Sequence, residues 1–198
     1  MLVLVLTSKN RNEMKLKLLI SLLFIGIHGF SQNESVPREL IKEIKKISNQ
    51  SLPNLTTMGK VADGTFYTIK NAKPAFYAYC GRVYTCRTSG CDTNNPSYSN
   101  ANEFFDYFIL YDKTPKIIAV KIYSYEATHG HEIGTKGWLK QFIGYSGTRK
   151  LSVGKEIDAI SGATTSANNI TNDIYVKTKT LKKLIAKNRN SYNLVCKQ

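Results

Sequence analysis

Three different periodicities run along the chain. After Pro37, whose fixed φ suits a first helical turn, Leu40, Ile41, Ile44 and Ile47 recur at helical spacing, which predicts a short amphipathic helix over 37–48. Asn54 to Gly64 reads as turn-rich. Alternating or β-branched runs follow at Thr65–Lys70, Ala75–Thr85, Phe104–Tyr111 and Lys116–Tyr125. Each is bounded by Gly, Pro, Asn or Asp, so each predicts a strand. The last two predict a hairpin around Asp112–Pro115. A loop rich in Ser, Asn, Gly and Cys, residues 86–102, separates the second and third strands. Gly137–Ile143 (GWLKQFI) predicts a short helix with a turn after it at Gly144–Gly147. A loop opens at Ser161, and helical spacing returns from Ser166 to Lys187. The sum is an α+β fold: a single small domain, a mostly antiparallel sheet with flanking helices, and a Gly-Ala-Thr loop at the N-terminus of the last helix.

The N-terminal pattern is of another kind. Lys15 and Lys17 precede an apolar run from Leu18 to Phe30, which ends in small and polar residues. That order is the one found in secretory signal peptides. The run is interrupted by Ser21, Gly26, His28 and Gly29 and is shorter than the roughly 20 residues of a membrane span. Export with cleavage near Ser31–Gln32 is therefore expected, with Met14 as an alternative start and residues 1–31 as the leader. The expected location is the periplasm or the extracytoplasmic face of the membrane.

Composition excludes two classes. Of 198 residues, 42% are hydrophobic and 21% charged, so a wholly disordered chain is ruled out. A single long apolar run rules out a multi-span membrane protein. Lys and Arg number 28 against 14 Asp and Glu, a net charge of +14. Residues 1–31 hold four basic residues and one acidic one, so their removal leaves +11. A basic exported protein meets anionic surfaces such as headgroups, wall polymers or acidic proteins. No nucleic-acid module is recognisable, and nucleic acid is not an expected partner. The densest basic cluster, Lys177, Lys179, Lys182, Lys183, Lys187 and Arg189, reads as the solvated face of the last helix.

The chemistry concentrates in VGKEIDAISGATTSANNITNDI, residues 153–174. Ser161, Thr164, Thr165 and Ser166 place four hydroxyls around Gly162 and Ala163, immediately before a helix. Exposed N–H groups at a helix start favour phosphate, and small residues let a phosphate approach the backbone. Asp158 lies three residues before Ser161, where its carboxylate suits orienting a hydroxyl or binding a cation. On these residues alone, a phosphate-docking loop and an ordinary Ser/Thr-rich N-cap turn are equally open.

The segment DAISGAT resembles the flavinylation motif of the FMN-binding domain family. That family includes the covalently flavinylated subunits of the sodium-pumping NADH:quinone oxidoreductase and of the Rnf complex. The family pattern is Asp, two spacers, Ser or Thr, then Gly-Ala-Thr, and Asp158, Ser161, Gly162, Ala163 and Thr164 match it at every defined position. The resemblance implies FMN joined through its phosphate to Thr164 by a flavin transferase, with Thr165 and Ser166 as neighbouring hydroxyls. Glu126–Gly144 is similar to the family's Glu-Thr-Pro-Gly loop and the short helix after it, with Glu132 and Gly137 as counterparts. Ile133 and Gly134 stand where the family often has Thr and Pro. On the same resemblance Trp138, Phe142 and Tyr145 are candidate neighbours of the flavin ring, although Trp138, Leu139 and Phe142 also recur at the helical spacing of core residues.

The resemblance covers roughly residues 65–175. With the N-terminal pattern and the helical spacing read above, the chain divides into a leader (1–31), an N-terminal helix and linker (32–64), an FMN-binding domain (65–190) and a tail (191–198). The resemblance implies an electron carrier working with redox partner proteins at the membrane rather than a complete enzyme, and no catalytic residue is assigned. The alternatives are a module that binds FMN or another phosphate ligand without turnover, and a subunit of an extracytoplasmic flavin reductase.

Cysteines and histidines add little. Cys86 and Cys91 flank a short loop and are expected to form a disulfide in an exported chain, Cys80 reads as a buried mid-strand thiol, and Cys196 lies near the end. Their spacing does not make a metal site. His129 and His131 straddle Gly130 beside Glu132. In the family this stretch borders the flavin, which makes either histidine a candidate flavin neighbour or proton source.

Overall fold

The computed structural model describes residues 36–49, 53–85 and 103–195. The leader, its cleavage point, the Cys86–Cys91 pair and Cys196 lie outside them. Helix α1, Arg38–Ser48, comes first, with Leu40 and Ile44 buried one turn apart and Asn49 closing it in the left-handed region. Five strands follow: β1 (Asn54–Val61), β2 (Gly64–Lys70), β3 (Tyr77–Tyr84), β4 (Phe104–Tyr111) and β5 (Ile117–Tyr125). They form one sheet in the order β1-β2-β3-β4-β5, antiparallel throughout. Short 3₁₀ turns at His131–Gly134 and Lys140–Phe142 flank α2, Lys136–Leu139, and the last helix, α3, runs Thr164–Val195.

The hairpin predicted at Asp112–Pro115 joins β4 to β5. Asp112 Oδ1 accepts from the Thr114 N–H at 2.7 Å, the Thr114 hydroxyl at 2.8 Å and the Lys116 N–H at 3.0 Å. Desolvation raises this carboxyl, but the three hydrogen bonds and the Lys116 charge together hold it below the usual carboxylate range.

Alternate residues of the strands serve two cores. On one face Phe66, Tyr79, Phe105, Tyr107, Ile109 and Tyr111 meet α2 and α3 through Trp138, Leu139, Ala167, Ile170, Ile174 and Leu181. On the other, Tyr67, Ile69, Ala78, Cys80, Phe108 and Leu110 meet Leu40 and Ile44 of α1. The sheet is thus covered on both sides, which is why β4 is buried from Tyr107 to Tyr111 without a break.

Three elements depart from expectation. Asn54–Val61, read as turn-rich, is a strand. Its polar and apolar residues do not alternate cleanly because the register to β2 shifts between Thr57 and Gly59. The last helix begins two residues earlier than its spacing predicted and extends to Val195. Lys177, grouped by sequence with the solvated cluster, is buried. Its ammonium lies 3.2 Å from Asp173 Oδ1 and 3.9 Å from Asp63 Oδ2.

Candidate functional site

The site is assembled where α3 begins. Gly162 adopts φ +80°, a conformation that glycine reaches without steric cost, and this turns the chain into the helix. Ala163 is the residue before the first helical one, and it is buried against the sheet. That position favours Ser, Thr, Asp or Asn, whose side-chain oxygen accepts from the first turn. The Ala163 methyl has no acceptor atom to offer. The first N–H groups of a helix have no intrahelical partner, so α3 presents the N–H groups of Thr164, Thr165 and Ser166 without a side-chain cap at that position. Thr164 and Thr165 are exposed, whereas Ser166 and Ala167 turn inward.

Two attachments hold this loop. The Trp138 indole N–H donates to the Asp158 carbonyl at 2.8 Å, and the Asp158 N–H donates to Gln141 Oε1 at 2.8 Å. The start of the motif is therefore pinned through both backbone groups to the α2 segment, and the Asp158 carboxylate is left exposed. Trp138 is otherwise buried, edge-on to Phe142 at 5.4 Å. Its packing is that of a core residue, and its polar edge serves the loop.

The second attachment uses Tyr125 at the end of β5. Its hydroxyl donates to the His129 carbonyl at 2.9 Å and shares a hydrogen bond with the Ser166 hydroxyl at 3.2 Å. Its ring stacks on Phe105 at 5.3 Å and receives the edge of His131 at 5.8 Å. Burial, with the charges of Glu132 and Glu103, pushes this phenol upward, so it stays protonated and keeps its donor. Gly130, at φ +85°, has no room for a side chain: a Cβ there would lie 2.9 Å from Ser166 Oγ and 3.1 Å from the Tyr125 hydroxyl. The 126–134 loop is thereby fastened to the first turn of α3.

Of the residues singled out by sequence, Asp158, Ser161, Gly162, Thr164 and Thr165 lie exposed around the helix start, and Ala163 is buried beneath them. His131, Glu132 and Gly137 are exposed on the adjoining loop and α2, and a Cβ at Gly137 or Gly162 would meet no atom within 4 Å. Sequence reasoning missed Tyr125, Gly130, Gln141 and the structural part of Ser166. Gly130 was visible as a glycine between two histidines. Tyr125 carried no signal of its own among twelve tyrosines. Among the described residues no group of three or more His, Cys, Asp and Glu side chains is placed to hold a metal ion.

The helix start suits an anion and the surface around it is open, as a phosphate with a bulky substituent requires. Residues 104–175 match the FMN-binding domain family. The chain carries an FMN-binding domain and is an FMN-binding flavoprotein. The match spans β4, β5, the Tyr125-fastened loop, α2, the motif and the first turns of α3; α1 and β1–β3 lie outside it. No curated protein and no solved structure matches the chain. No helix among the described residues is long and apolar enough to cross a membrane.

Proposed function

We propose that FMN is esterified through its phosphate to Thr164, and that the protein is an exported electron carrier between a membrane donor and an extracytoplasmic acceptor. One observation carries this reading: in an FMN-binding domain, the hydroxyl at the first position of α3 is exposed, directly after a capping residue whose side chain has no acceptor. The N–H groups of Thr164, Thr165 and Ser166 would hold the phosphate oxygens, and the helix dipole adds about 0.3–1 kcal/mol for an anion there. Gly162 leaves room for the phosphate beside the backbone. Asp158 is exposed on the pinned loop, which supports the reading that a flavin transferase recognises it. A covalent tether keeps a cofactor at an open site by effective concentration rather than by a deep cavity.

When bound, FMN supplies reversible one- and two-electron transfer. The chain's own residues orient it: Tyr125 and Gly130 set the loop that bears His131 and Glu132, and Trp138 sets the loop that bears Asp158. Export rests on the Lys15–Gln32 segment, and a transferase and membrane-bound redox partners follow from the same reading.

The test is intact-mass measurement and in-gel fluorescence of denatured protein made with a flavin transferase present. The parent should fluoresce on the denatured band and carry the added mass of one FMN, as should Thr165→Ala. Thr164→Ala should lose both while keeping its circular dichroism spectrum. Fluorescence that leaves the parent on denaturation would favour a non-covalent binding module instead. Flavin retained by Thr164→Ala would move the ester elsewhere.

A further inference from the structure

The second half of α3 carries charge of one sign. Between Ile174 and Val195 there are six Lys and Arg residues and no Asp or Glu. Lys177 is buried beside Asp173; Lys179, Lys182, Lys183, Lys187 and Arg189 are exposed. Positions 179, 183 and 187 are four apart and 182 is three from 179, so the four lie along one side of the helix. Thr178 and Leu181 are buried on the sheet side. Like charges at these spacings repel and weaken a helix. Helix stability therefore gives no reason for such a stripe, whereas an anionic counter-surface does.

Its shape selects the surface. At 1.5 Å per residue the cations extend over about 15 Å and begin about 22 Å along the helix from Thr164, so whatever is held there leaves the motif end clear. Four of the five are Lys, a point charge suited to a field of phosphates, where Arg would supply the fork for one bidentate ligand. The aromatic beside them, Tyr175, is half-buried and already engaged by Lys179, whose ammonium donates to its hydroxyl at 3.2 Å and lies 5.2 Å from its ring centre, so it is not left open for stacking on bases. Among the described residues near them the exposed apolar side chains are Val176 and the single methyl of Ala186, too little for a hydrophobic protein interface.

We infer that this face of α3 docks the protein peripherally on an anionic lipid surface, reading headgroup phosphates as a field. The inference does not depend on how FMN is held. Each cation close to an anionic membrane strengthens binding about fivefold, so reversing Lys182, Lys183 and Lys187 to Glu should weaken it by at least about a hundredfold.

The experiment is sedimentation of the full chain with vesicles of phosphatidylglycerol and of phosphatidylcholine. The apolar N-terminal run and its four basic residues are common to every variant, so the change in lipid preference between variants reports the charge of α3. The expected result is a marked preference for phosphatidylglycerol, abolished in about 1 M salt, where the screening length is about 3 Å. The preference should be lost in Lys182→Glu/Lys183→Glu/Lys187→Glu, reduced in the matching Gln variant, and retained in Lys42→Glu/Lys46→Glu on α1. Circular dichroism verifies that each variant folds. Equal binding to both lipids would overturn the inference, as would a preference that the α1 variant loses equally. Tighter binding to soluble polyglutamate than to the vesicles would assign the face to an acidic protein instead.

Discussion

Two glycines of the site have positive φ, for different reasons, and substitution separates them. Gly162 faces open space, so Gly162→Ala should cost only the backbone strain of a left-handed alanine, about 1 kcal/mol. Gly130 has the same strain and a Cβ that would press on Ser166 Oγ and the Tyr125 hydroxyl. Gly130→Ala should therefore cost about 3 kcal/mol, strain plus overpacking. Urea unfolding of the two variants measures the gap. Equal losses would mean that the loop shifts freely, and that Tyr125 and Ser166 do not fix it. The motif residues themselves were readable in the sequence because a linear pattern of Asp, Ser, Gly, Ala and Thr is a local property. The partners that hold them were not, since Tyr125 and Ser166 are 41 positions apart and meet only through the sheet.

Among the elements, α3 does most of the organising. Ala167, Ile170, Ile174, Thr178 and Leu181 give it one buried face, and this periodicity was legible. Thr171 lies on that buried side too, and its hydroxyl has no hydrogen-bond partner. A buried unpaired hydroxyl is costly, so the near-isosteric Thr171→Val should raise stability by about 1 kcal/mol in urea unfolding. A loss instead would show that this hydroxyl is satisfied in solution. Strand β1 was illegible for a complementary reason. It sits at the sheet edge with all eight of its residues exposed or half-exposed and a register shift in its middle, so no period-two pattern survives. The open edge of β2 makes it a strand. The hairpin at Asp112, by contrast, was legible, because an Asx turn is completed within five residues.

At the scale of the whole molecule, a buried polar cluster ties α3 to the sheet. Asp173 accepts from the Tyr107 hydroxyl at 2.6 Å and pairs with Lys177, whose ammonium also lies 5.4 Å over the Tyr79 ring. Burial raises the Asp173 carboxyl above its ordinary value of 3.8; the Tyr107 hydrogen bond and the Lys177 charge only partly offset this. A native carboxyl that holds its proton more tightly than the unfolded one stabilises most below the unfolded value. That contribution fades as pH rises through the native value. The stability difference between the parent and Asp173→Asn should therefore fall from about pH 3 to about pH 7 in urea titrations, and a difference that grows would reverse the sign assigned to burial. Nothing in the sequence around Lys177 separates it from its five exposed neighbours; burial beside Asp173 and Asp63 does. The amino-acid order alone determined the helices, four of the strands, the hairpin and the motif, because each announces itself by a pattern of residue types a few positions long. The tertiary structure decided the edge strand, the pinning of the motif by Trp138 and Tyr125, and which lysine is inside, because desolvation and long-range pairing exist only after the layers have closed.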